Sequence, residues 1–138
     1  MKKLICILVL LVAFQMSGQD EANWLTDYEV ALQQSETQNK PILAFVINDQ
    51  DAKTLEVLNK ELFASEAYKK VAPKVVLLKL DVSDTKSYNF RMGIHYTKQK
   101  STTGLALVDK HNATIGKPLV DFTPENIEAF ISFINSKL

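Results

Sequence analysis

Polar and apolar positions change period along this chain, and each change marks an element. Trp24, Leu25, Tyr28, Ala31 and Leu32 share one helical face, with Asp27, Glu29, Gln33 and Gln34 off it, so residues 24–38 read as a helix packed on a sheet. The same spacing makes Trp24 a core residue rather than an exposed ligand platform. Ile42 to Ile47 is an unbroken apolar run, rich in β-branched and aromatic residues and entered through Pro41. It reads as a central strand covered on both faces. Asn48, Asp49, Gln50 and Asp51 form a polar turn whose last carboxylate can cap the next helix by accepting from its first N–H groups. From Ala52, the positions Leu55, Leu58, Leu62 and Phe63 make the buried face of that helix, with Lys53, Glu56, Asn59, Lys60 and Glu61 between them.

The pattern then repeats with variation. Ser65 to Val71 reads as helix ending ahead of Pro73, because the residue before a proline is pushed out of the helical region. Lys74 to Val82 is a second apolar strand, and helix, strand, helix, strand implies a parallel βαβ crossover. Ser83 to Tyr96 begins as a capped short helix and is expected to break at Gly93. Thr97 to Thr103 is a polar loop without periodicity. Leu105 to Val108 and Ala113 to Lys117 read as an antiparallel hairpin around the four-residue turn Asp109–Asn112, the second strand ending at Gly116 and Pro118. Thr123, Pro124 and Glu125 form a helix start, with Ile127, Phe130, Ile131, Ile134 and Leu138 as the buried stripe.

The first eighteen residues follow a different logic. Lys2 and Lys3, an apolar stretch from Leu4 to Phe14 and the small residues Ser17 and Gly18 match a secretory signal, too short to span a membrane. The expected organisation is a signal peptide at 1–18 and one domain at 19–138, in the periplasm or outside the cell, with no membrane insertion after cleavage. Of 16 basic and 16 acidic side chains, cleavage removes Lys2 and Lys3 and no acid, leaving a net charge of −2. That balance argues against nucleic acid or anionic lipid as partner. The only cysteine, Cys6, leaves with the signal, so the mature chain can neither form nor exchange a disulfide.

Candidate chemistry is sparse. Asp81 at a strand exit reads as a turn cap rather than a catalytic acid. His95 and His111 have no second ligand at metal spacing, and Asn48–Asp51 lacks the glycine and distal glutamate of a calcium loop, so neither a metal nor another cofactor is expected. Lys53 is the one cation at a helix start, but no neighbouring base supports it as a nucleophile. No phosphate-binding glycine loop or nucleophile elbow occurs. Asn112-Ala113-Thr114 matches a glycosylation acceptor by pattern alone.

The order helix, β, α, β, α, β-hairpin, α, with the pattern W…AL…NKPIL.F……L.KELF.S…….VVLLKLDV, resembles secreted bacterial thioredoxin-like proteins and covers residues 24–138. The resemblance implies a three-layer α/β/α sandwich around a mixed sheet of four to five strands, closed by a C-terminal hairpin and helix. Carried over position by position, it implies that the family's C-x-x-C has become Ala52-Lys53-Thr54-Leu55. The aromatic residue ahead of the first cysteine falls at Asp51, and the cis-proline facing the dithiol falls at Thr103. A cis bond before threonine would cost about 2.5–4 kcal/mol, so a trans bond and a reshaped groove are expected there. Neither alanine nor leucine supplies a thiolate, so no catalytic residue is assigned.

Two functions fit these residues. One is a redox-inactive module binding a peptide or protein through the surface around Asn48, Asp49, Gln50, Asp51, Lys53, Thr102 and Thr103. The other is an accessory to thiol–disulfide exchange whose cysteines come from a partner. Surface detail rather than motif separates them.

Overall fold

The computed structural model describes residues 24–138, so the expected signal peptide at 1–18 and its cleavage point lie outside the described residues. Within them the chain forms α1 (Tyr28–Gln38), β1 (Ile42–Ile47), α2 (Ala52–Leu58), α3 (Glu66–Val71), β2 (Val76–Asp81), α4 (Tyr88–Thr97), β3 (Gly104–Val108), β4 (Thr114–Leu119) and α5 (Pro124–Lys137). The strands make one mixed sheet ordered β2-β1-β3-β4. β1 and β2 are parallel, with Ile42 opposite Val76 and Ile47 opposite Asp81. β3 is antiparallel to β1, and β4 to β3. This is the expected thioredoxin-like α/β sandwich, with four strands.

Strand alternation sorts the core into two layers. Leu43, Phe45, Leu77, Leu105 and Leu107 face Leu58, Leu62, Tyr68, Ile127, Phe130, Ile131 and Ile134 on the side of α2, α3 and α5. Ile42, Ala44, Val46, Leu78, Leu80, Ala106 and Val108 face Ala31, Met92 and Tyr96 of α1 and α4. Each fully buried aliphatic side chain contributes about 1.5–3 kcal/mol by leaving water, which fixes β1 and β3 as the centre.

Several expected boundaries are corrected. The first helix begins at Tyr28, capped by Asp27, whose side chain accepts from the Glu29 N–H. The residues before it are extended: Leu25 makes a parallel bridge to Leu78 along the outer edge of β2. Extended backbone sends neighbours to opposite faces, so Trp24 joins Phe45 and Phe63, each with ring centroids 5.8 Å away, while Leu25 packs on the other layer. Trp24 is a core residue, reached by a different periodicity from the one expected. After α2 the helix widens into a π turn at Asn59–Phe63 and stops at Ser65, which caps α3.

Helix α4 starts at the Ser87 cap and runs through Gly93 without a break. A Cβ at Gly93 would lie 2.5 Å from Val82 Cγ1 and 3.1 Å from Val46 Cγ1, so the glycine is there to let the helix close on the sheet. The hairpin loop is Asp109–Ala113, one residue longer than expected. The Asp109 N–H donates to the Ala113 carbonyl, and Asp109 Oδ1 accepts from the N–H groups of His111 and Ala113. β4 continues through Gly116 and Pro118 to Leu119, because an edge strand tolerates both, and a register shift marks the irregularity. Gly116 has φ +69°, and a Cβ there would strike the Phe133 ring. Leu138 closes α5 at 41% exposure, outside the buried stripe.

Candidate functional site

Two parallel strands, β1 and β2, end on the same side of the sheet, and a crevice at the carboxyl ends of such strands is where α/β folds place ligands. Asn48 leaves β1 there and β3 enters alongside, opposite Val46. The two loops are tied directly. The Asn48 N–H donates to Thr103 Oγ1 at 3.1 Å and its Nδ2 to the Ser101 carbonyl at 2.9 Å. Its own Oδ1 accepts from the Gln50 N–H at 3.1 Å, which folds the turn. The structure thus brings together the polar turn after β1, Asn48–Asp51, and the end of the polar loop Thr97–Thr103.

The side chains have unequal roles. Asp49, Gln50, Ala52 and Lys53 are exposed, and Asn48, Asp51 and Thr102 are half-buried. Thr103, expected on the binding surface, is fully buried, with its hydroxyl accepting from the Asn48 N–H, so it holds the loop from beneath. Asp51 also differs from expectation. It stands at the cap position of α2 without bonding a backbone N–H, and instead accepts the Thr54 hydroxyl at 2.8 Å. Leu55 packs on the core. The peptide bond before Thr103 is trans, as are all those of the described residues.

Two residues at this end carry no signal in hydrophobic periodicity. The Asp49 N–H donates to Ser83 Oγ at 3.0 Å, and the Ser83 hydroxyl and N–H both donate to Asp81 Oδ1. Those bonds from the Ser83 hydroxyl and backbone hold the Asp81 carboxyl below its usual range against a small desolvation cost. Asp81 is thereby a turn cap, and Ser83 links β2 to the β1 turn. On the other side, Ser101 and Lys98 hold left-handed backbone at φ 53° and 63°. Non-glycine residues pay for that conformation, and Thr97 helps to hold it: its hydroxyl donates to the Gly93 carbonyl at 2.7 Å and accepts from the Gln99 N–H at 3.3 Å.

Ala52 and Leu55, the positions expected from the resemblance to match the dithiol, carry a methyl group and an isobutyl group. No atom of Ala52 or Leu55 can act as nucleophile, and the nearby exposed charges are of both signs. His95 Nε2 lies 2.8 Å from the Asn112 carbonyl, tying α4 to the hairpin loop, and His111 is exposed in that loop. The Asn112 side chain accepts the Tyr96 hydroxyl at 2.6 Å, which gives the glycosylation-pattern asparagine a structural task. Among the described residues, no three His, Cys, Asp or Glu side chains converge at metal-ligand spacing, and no helix is long and apolar enough to cross a membrane.

A family model described as thioredoxin-like matches residues 23–105. No curated protein sequence matches the chain. Among solved structures, the chain is similar to the DsbD C-terminal domain of Neisseria meningitidis in its oxidised form, with TM-score 0.62 and 17% identity over 83% of this chain and 99% of that one. It is similar to a disulphide isomerase from Xylella fastidiosa Temecula1, with TM-score 0.60 and 17% identity over 78% of this chain and 88% of that one. A thioredoxin from Thermus thermophilus aligns with TM-score 0.61 and 13% identity over 83% of this chain and 85% of that one.

Proposed function

Because this chain belongs to the thioredoxin-like family yet holds no cysteine beyond Cys6, we propose that it is a thiol-free member working in the cell envelope, binding a peptide or protein. The observation that carries this reading is that residues 19–138 hold no cysteine while the loops flanking the start of α2 are kept ordered. Asn48 ties the β1 turn to the loop before β3, so the exposed groups of Asp49, Gln50, Ala52 and Lys53 are presented on fixed backbone. A site whose backbone is already ordered loses less entropy on binding than a mobile one. The basic n-region and apolar run of residues 2–14 support export.

The test is affinity capture by the mature protein from its own envelope extract, with and without reductant, alongside the variants Lys53→Glu and Gln50→Lys. Both positions are exposed, so melting should be unchanged. A partner captured equally in both conditions and lost with either variant is the expected result. Recovery solely of thiol oxidoreductases, whose turnover rises when this protein is added, would replace this reading with that of an accessory to thiol exchange.

A further inference from the structure

On the opposite layer of the sheet, Tyr88 has a placement that burial does not explain. Tyr28 packs against the core formed with α1 and α4. Tyr88 lies over it, ring centroids 5.3 Å apart and planes 14° from parallel, yet remains 55% exposed. An aromatic ring left mostly in water gains little from the hydrophobic effect at that position. The pair walls an open cleft of about 560 Å³, completed by Thr26, Asp27, Glu29 and Asn89. The lining therefore offers two rings, two carboxylates, an amide and a hydroxyl, and no basic side chain. Among the described residues, neither carboxylate forms a salt bridge.

The carboxylates are oriented. Asp27 Oδ1 accepts from the Glu29 N–H at 2.9 Å, and Glu29 Oε1 accepts the Tyr28 hydroxyl at 3.2 Å. They also offset the positive end of the α1 dipole, which would otherwise repel a cation. Ionisation of Tyr28 is pushed up by the adjoining Tyr88 hydroxyl first, then by desolvation and Glu29, so the cleft resists added negative charge.

We infer that this cleft binds the guanidinium group of an arginine side chain on a partner protein. A planar, delocalised cation can lie against the exposed Tyr88 ring with its forked N–H donors directed at Glu29, since Asp27 Oδ1 is already engaged by the Glu29 N–H. A lysine ammonium, as a compact and strongly hydrated charge, gains less from the ring face, and an anion is repelled by both carboxylates. This site lies on the α1 and α4 layer, away from Ala52 and Lys53 on α2, and it stands whether or not the proposed function does.

The test is a titration of the mature protein with N-acetyl-arginine methylamide, followed by the ring resonances of Tyr28 and Tyr88, with N-acetyl-citrulline methylamide as the uncharged control. Saturable shifts with the arginine probe and none with citrulline are expected. Glu29→Gln and Tyr88→Ala should each weaken binding about threefold or more, while Tyr88→Phe, which keeps the ring, should bind as the parent does. Equal shifts from both probes, shifts that never saturate, or full binding by Glu29→Gln would overturn the inference. Glu29 is exposed, so that variant decides the question even if Tyr88→Ala folds poorly. A third titration with N-acetyl-lysine methylamide should saturate at higher concentration; tighter binding than arginine would refute the guanidinium assignment.

Discussion

At the centre of the sheet, Leu43, Ala44, Leu105 and Ala106 are almost wholly withdrawn from water on two layers of apolar packing. A few residues along the same strands, at Asn48 and Thr103, order is kept by hydrogen bonds between a half-buried amide and a buried hydroxyl. The first region is held by area and the second by partner matching. The difference teaches that the rim of this sheet is kept in order by means independent of its packed centre. Ala52 is exposed and stays outside the packed centre, whereas Leu55 leans on it, so a change at 52 leaves the sheet untouched provided the loops around it stay tied.

The strongest test drives a charge into the joint between these regions. Thr103→Arg places a guanidinium at a fully buried site and is expected to cost more than about 4 kcal/mol, abolishing a cooperative transition by circular dichroism. An unchanged midpoint would show that Thr103 is free to leave its place. Next in size, Leu107→Ala at the centre should lower stability by about 2–5 kcal/mol in urea unfolding.

Alkaline pH probes the packed layers as a whole. Burial pushes the Tyr68 hydroxyl up to about 12 and raises Tyr96 as well, so the fold favours their neutral forms. In the unfolded chain both ionise near pH 10. The stabilisation is therefore complete below about pH 10 and is lost as pH rises toward 12. The melting temperature should fall through that window, and the fall should lessen in Tyr68→Phe.

The polar end should respond more gently. Asn48→Ala removes the side-chain bonds to Ser101 and Gln50 and is expected to cost about 0.5–1.5 kcal/mol. Its clearest sign would be faster amide exchange across residues 98–103, with β3 unchanged; equal acceleration in both would mean that the two regions open together. Smallest of all, Ala52→Cys at an exposed position should shift stability by less than about 0.5 kcal/mol while introducing a titratable thiol. A large loss would mean that position 52 is part of the structural framework.

The sheet was legible because its strands are continuous apolar runs: Ile42–Ile47 appears with the ends read from the pattern. Helix α5 was legible from Thr123 and Pro124, whose cap and first-turn roles are local. Errors came where tertiary contact overrides local preference. Gly93 reads as a helix breaker, yet close approach to Val82 and Val46 keeps it in the helix. Trp24 and Leu25 fit helical spacing, but pairing with β2 draws them into extended backbone. At the candidate site, the pattern marked both loops. It could not show that Asn48 joins them or that Thr103 turns inward, because such bonds depend on which polar groups meet across 55 positions of sequence.

The outer strand β4 has a consequence for how this molecule meets others. Pro118 offers no amide hydrogen, Gly116 bends the backbone out of the extended region, and Lys117 puts a charge on the rim. An incoming chain that tried to lengthen the sheet there would meet a gap, a corner and a cation in three consecutive residues. Visitors are thereby turned away from the flank and left the strand tips and helix starts as landing ground.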